Sequence, residues 1–155
     1  MGMHLRLPMP PVSTGEARMR ADESAASRGR ILLIDDDRVF AIWVAQVVHK
    51  RGGYQLKHVP DPMAGLRCVE NEPWDLVITD VELPGMSGLE LLERIHLLEP
   101  GLPIAVMTAH AAMVGAATAE RSATVEFMNK PVPSADLLSR VAVLIARGRA
   151  VRSVL

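Results

Sequence analysis

The stretch DLVITDVELPGMSG, residues 75–88, sets a short apolar run against an aspartate and then a loop rich in turn formers. Leu76, Val77 and Ile78 are consecutive apolar residues, as in a parallel strand buried on both faces. Residues 75–79 are therefore predicted as a strand that delivers Asp80 at its carboxyl end. VELPGMSG then leads into a helix bearing Leu89, Leu91, Leu92, Ile95 and Leu98, which Pro100-Gly101 stops.

The same alternation extends in both directions. Residues 31–34, ILLI, read as a buried strand followed at once by Asp35, Asp36 and Asp37. Phe40, Trp43, Val44, Val47 and Val48 recur at helical spacing until Gly52-Gly53 ends that helix. A strand at 55–59 precedes Asp61-Pro62, a helix cap and first-turn proline for a helix carrying Met63, Leu66 and Val69, closed by residues 71–73. Strands are predicted at 103–107 and 125–128. Between them residues 112–121 are predicted as a weaker helix that contains Gly115, and the last helix is expected to start near Ser134. Five strands alternating with five helices predict an α/β, doubly wound parallel sheet, with the flavodoxin-like strand order 2-1-3-4-5.

With 155 residues, 49% of them apolar, the chain has material for one domain with a real core. Residues 1–29 mix Pro, Ser, Ala, Arg and Glu without periodicity and are expected to be a disordered tail, with Met19 as an alternative start. The domain is expected over 30–148, followed by a C-terminal extension at 149–155. After Arg147 the ending GRAVRSVL is too short for an output domain, so the chain reads as a stand-alone domain or the amino-terminal piece of a longer protein. A net charge of −1 offers no basic field for direct nucleic-acid binding. Cys68 has no cysteine partner and fits a reducing cytoplasm. No apolar run reaches the roughly 18–20 residues of a membrane span.

In an open parallel sheet the reactive crevice lies outside the carboxyl ends of the strands. There this sequence places Asp35 and Asp36, Asp80, Thr108 and Lys130. Two carboxylates about 4 Å apart repel by roughly 4 kcal/mol at an effective dielectric of about 20, so such a cluster calls for a cation or raised pKa values. A hard divalent ion with oxygen ligands, Mg²⁺, fits best.

These motifs resemble the response-regulator receiver family of two-component signalling, over residues 30–148. The resemblance rests on ILLIDDD, on DLVITDVELPGMSG with Pro84 and Gly88 in register, on the Thr-Ala pair of VMTAH, and on the Lys-Pro pair of FMNKPV. It implies that Asp80 is the phosphoacceptor and that Asp36 and Asp80 bind Mg²⁺ through carboxylates, Glu82 through its carbonyl and Asp35 through water. Thr108 and Lys130 would hold the phosphoryl group, with the small Ala109 leaving the acceptor open, and Phe127 would be the switch aromatic. Glu82 and His110 would border the site, and Lys130-Pro131 would be cis. Expected partners are a histidine kinase or histidine phosphotransfer protein, a downstream protein target, and a homodimer formed on phosphorylation. The chain would then be a cytoplasmic signalling switch, not a turnover enzyme.

Plainer readings stand beside these. Aspartates at 35–37 serve as turn formers and caps elsewhere, and Asp37 is read as a solvated cap. Lys130 alone would be a surface charge, Thr108 a strand residue and Phe127 core. His49, His58 and His96 read as exposed helix or loop residues, and the methionines as packing or loop positions. RSATVEF departs from the family's usual Gly-Ala before the switch aromatic. Two other classes remain: a haloacid-dehalogenase-like phosphatase, which wants a DxD where Asp80-Val81-Glu82 stands, and an unphosphorylated interaction scaffold.

Overall fold

A computed structural model of the chain describes residues 27–111 and 123–155, so the tail through residue 26 and the helix expected at 112–121 lie outside the described residues. The elements run β1 (Arg30–Ile34), α1 (Arg38–Ala45), a π-helical turn (Gln46–Arg51), β2 (Gln55–Val59), α2 (Pro62–Asn71), β3 (Leu76–Asp80), α3 (Gly88–Leu98), β4 (Ile104–Thr108), β5 (Val125–Asn129) and α4 (Ser134–Arg152). All strand pairs are parallel, in the order β2-β1-β3-β4-β5, as expected. Four α-helices lie among the described residues, against five expected over the whole chain.

Alternate strand residues face two separate cores. Ile31, Leu33, Leu76, Ile78, Ala105, Met107 and Met128 pack under α1 and α4, against Val44, Leu137, Val141 and Leu144. Leu32, Ile34, Val77, Ile104 and Val106 face the other way, under Leu66 and Val69 of α2 and Leu91 and Ile95 of α3. Each fully buried Leu or Ile contributes about 1.5–3 kcal/mol relative to exposure. A one-residue slip in any strand would therefore move its side chains from one core to the other.

Local signals start the helices where the sequence puts them. The Asp37 carboxylate accepts from the amides of Val39 at 3.0 Å and Phe40 at 3.2 Å, and Asp61 accepts from Met63 at 2.9 Å. Ser87, not anticipated as a cap, accepts from Glu90 N at 3.1 Å. Gly53, with φ +74°, takes the left-handed conformation that lets the chain leave the π-helical turn. At the far end α4 runs through Arg152, so the boundary expected at 148 falls inside a helix. Arg152 Nη1 donates to the Trp74 carbonyl at 2.9 Å, and Arg149 Nη2 to that of Arg28 at 2.8 Å. Residues 28 and 29 also join the body, since Arg28 N donates to Gly53 O at 3.1 Å and Gln55 N to Gly29 O at 2.9 Å.

Candidate functional site

The parallel ladder continues one residue past the strand ends, and that sets the rim. Asp35 N donates to Val59 O at 3.2 Å, Val81 N to Met107 O at 3.1 Å, and Lys130 N to Thr108 O at 2.8 Å. The sheet thus fixes the backbones carrying Asp35, Asp80 and Lys130 relative to one another.

Their side chains meet there. Lys130 Nζ lies 2.6 Å from Asp80 Oδ2 and 3.4 Å from Asp35 Oδ2. Asp35 is fully buried, and its Oδ1 accepts from the Asp37 amide at 2.9 Å. Burial pushes its carboxyl above the usual carboxylate range; the Asp37 amide and Lys130 oppose this, and the Asp80 charge reinforces it. For Lys130, burial works against the ammonium. The hydrogen bond to Asp80 and the attraction of Asp35 and Asp80 together outweigh it, so the lysine stays charged to higher pH than usual. Asp80 Oδ1 accepts from Glu82 N at 3.0 Å, which pins this carboxylate from its other side.

The loop after Asp80 needs its glycines. Gly85 has φ +79°, and Gly88 N donates to Val81 O at 2.7 Å as α3 begins. A Cβ on Gly88 would sit 2.2 Å from the Asp80 carbonyl oxygen and 2.7 Å from Val81 Cα. Because both are backbone atoms, Gly88→Ala is expected to displace the loop after Asp80 and destabilise the fold by about 1–3 kcal/mol. Denaturant unfolding checks this: an unchanged midpoint would reject so close an approach.

Thr108 is buried at the end of β4, and its Oγ1 accepts from His110 N at 3.1 Å. Phe127 is half-buried, stands opposite Val106 in the β4–β5 register, and packs toward the α2–α3 core. Thr108, two residues beyond Val106, therefore faces the same side of the sheet as Phe127. Asp36, Glu82 and His110 are exposed at the rim. Lys130-Pro131 is cis.

Several residues differ from their reading in the sequence. His58 is not an exposed helix or loop residue: it lies half-buried on β2, where Nε2 donates to the Asp35 carbonyl at 2.6 Å. Asn129 Oδ1 accepts from Ala111 N at 2.8 Å, tying the loop after Thr108 to the strand that ends beside Lys130. Phe40, read only as one of the apolar residues at helical spacing, holds its ring 4.1 Å from Lys130 Nζ. An aromatic one helical turn beyond Asp36 is the signal that could have placed it at the rim.

Among the described residues no three His, Cys, Asp or Glu side chains form a ready-made metal cage. Mg²⁺ does not need one, since it keeps several waters and takes one or two carboxylates together with phosphate oxygens. The donors at hand suit it: a fully buried carboxylate disfavoured as an anion, a second one 2.6 Å from Lys130, and oxygen chemistry throughout.

A doubly wound parallel sheet with two carboxylates and a lysine gathered beyond the carboxyl ends of its strands defines an α/β protein whose site lies in the crevice at that rim. Residues 31–142 match the response regulator receiver domain, and the chain belongs to that family. The response regulator protein FleR of Pseudomonas aeruginosa is 34% identical over 113 residues, which is 73% of this chain and 24% of FleR. The chain spans about a quarter of the length of several such curated relatives. A CheY-like receiver domain protein from Methanospirillum hungatei superposes with a TM-score of 0.70 at 30% identity, covering 78% of this chain and 96% of that one. The receiver domain of sensor histidine kinase PA1611 from Pseudomonas aeruginosa has a TM-score of 0.67 at 23% identity, covering 76% and 98%, and coordinates a magnesium ion in its active-site cleft. Receiver domains are switches of two-component signalling rather than turnover enzymes. No helix among the described residues is long and apolar enough to cross a membrane.

Proposed function

We propose that Asp80 accepts a phosphoryl group from the phosphohistidine of a histidine kinase or phosphotransfer protein, and that the resulting charge switches a surface read by a downstream protein in the cytoplasm. The observation that carries this is the Lys130 ammonium 2.6 Å from Asp80 Oδ2, beside the buried Asp35. A carboxylate oxygen of Asp80 attacks phosphorus; the P–N bond breaks, and the imidazole leaves with the electron pair. Lys130 stabilises charge on the phosphoryl oxygens as it passes from donor to acceptor. Asp35, Asp36, Asp80 and the Glu82 carbonyl would hold Mg²⁺, which when bound supplies further charge neutralisation there. Thr108, buried beside the rim, is the hydroxyl available to a phosphoryl oxygen.

The test is a small phosphodonor. Acetyl phosphate with Mg²⁺ should add one phosphoryl group, labile to base and hydroxylamine as an acyl phosphate is, and Asp80→Asn should add none. The same adduct on Asp80→Asn by intact-mass spectrometry rejects the acceptor. Turnover of a generic phosphate ester would instead favour the phosphatase reading.

A further inference from the structure

We propose that Phe40 is a positioning residue for Lys130, holding the ammonium at the acceptor through the face of its ring; this deepens the reading of Asp80 as phosphoacceptor and rests on it. An ammonium has three N–H donors. Here Asp80 Oδ2 lies at 2.6 Å and Asp35 Oδ2 at 3.4 Å, while the Phe40 ring centroid stands 4.1 Å away. The lysine thus has two carboxylates and one π-face as partners. The ring is held in turn: Phe40 packs against the α1–α4 core and lies 5.8 Å from the Trp43 ring, and its amide is bonded to the Asp37 cap at 3.2 Å.

The choice of an aromatic matters for the chemistry. A third carboxylate or carbonyl would grip the ammonium with directed hydrogen bonds and compete with the incoming phosphoryl oxygens. A ring quadrupole attracts the charge without such a bond, so Lys130 stays close yet free to turn from carboxylate to phosphoryl. A leucine would fill similar space and leave the ammonium without that attraction.

The experiment compares wild type with Phe40→Tyr and Phe40→Leu in the full chain. Phosphorylation by acetyl phosphate with Mg²⁺ should slow by about threefold to thirtyfold in Phe40→Leu, the range expected from losing a partly desolvated cation–π contact, and recover in Phe40→Tyr. In NMR spectra the ε-methylene protons of Lys130 should be shifted upfield by the ring in wild type and Phe40→Tyr, and lie at ordinary positions in Phe40→Leu. Equal phosphorylation rates in wild type and Phe40→Leu overturn the proposal, as does a Phe40→Tyr variant as slow as Phe40→Leu. If Phe40→Leu fails to fold, the wild-type shift decides: unshifted Lys130 protons overturn it. A wild type that takes no phosphoryl group would reject the functional reading instead, while the upfield shift would still report the contact.

Discussion

Without Mg²⁺, Lys130→Met should unfold at lower denaturant than wild type, with a deficit of about 1–3 kcal/mol at neutral pH. Removing one partner of a buried ion pair costs about 3–5 kcal/mol, because the other charge is stranded. The Lys130 side chain is 25% exposed and that of Asp80 18% exposed, so solvent lowers that cost here. Asp35, only 1% exposed, bears most of it. The sign of the pH dependence follows from Asp35, whose folded-state carboxyl titrates above its ordinary 3.8 because of burial. The folded state therefore keeps this proton to higher pH than the unfolded chain does. Stability from this group is fully present below the ordinary value and is lost as pH rises through the raised one. Without the lysine the raised value moves further up, so the deficit of Lys130→Met should be small at acid pH and largest above that window. Adding Asp35→Asn should remove most of it. Parallel stability curves for the two proteins across this pH range would show that Lys130 does not neutralise Asp35.

Thr108→Ala should still accept the phosphoryl group while losing most of the conformational response. Phosphorylation places about −1.5 to −2 charges at the rim, and the new oxygens draw in Lys130 and any hydroxyl within reach. Thr108 Oγ1 already accepts from His110 N, which leaves its O–H proton available as a donor. Movement of Thr108 toward the phosphoryl group would vacate space on the face of the sheet it shares with Phe127. Phe127 should turn inward to fill it. A partner whose affinity differs about a hundredfold between the two surfaces needs a coupling of about 2.7 kcal/mol, which charge-assisted hydrogen bonds supply. Backbone NMR spectra of wild type and Thr108→Ala, each with and without beryllofluoride and Mg²⁺, check this. Equal shifts around Phe127 in both proteins would remove Thr108 from the coupling.

The fold was legible because its physics is local. ILLI and LVI are fully apolar, so they had to be strands covered on both faces, and every strand lies within a residue of its predicted span. Asp37 and Asp61-Pro62 act through backbone amides two or three residues away, which sequence spacing reports directly. Asp35, Asp80 and Lys130 were legible for a related reason: the end of a parallel strand is a place in space as well as in sequence. His58 and Asn129 were not, because their partners, Asp35 O and Ala111 N, are backbone groups 23 and 18 residues distant. Phe40 was read only as an apolar position at helical period. Its ring does pack against the α1–α4 core as that period implies, but the period says nothing of a lysine 90 residues further on whose ammonium rests on one face.

The strand order β2-β1-β3-β4-β5 has a mechanical consequence. Asp80 ends β3, the middle strand, which is clamped by ladders on both sides and buried along four of its five residues. Phe127 lies on β5, an edge strand with a single neighbour among the described residues and one buried residue, and Lys130 directly follows it. The anvil is stiff and the hammer sits at the edge: on the proposed reading the residue that is struck lies at the centre of the sheet, whereas Phe127, which turns afterwards, lies on a strand whose displacement strains one ladder instead of two.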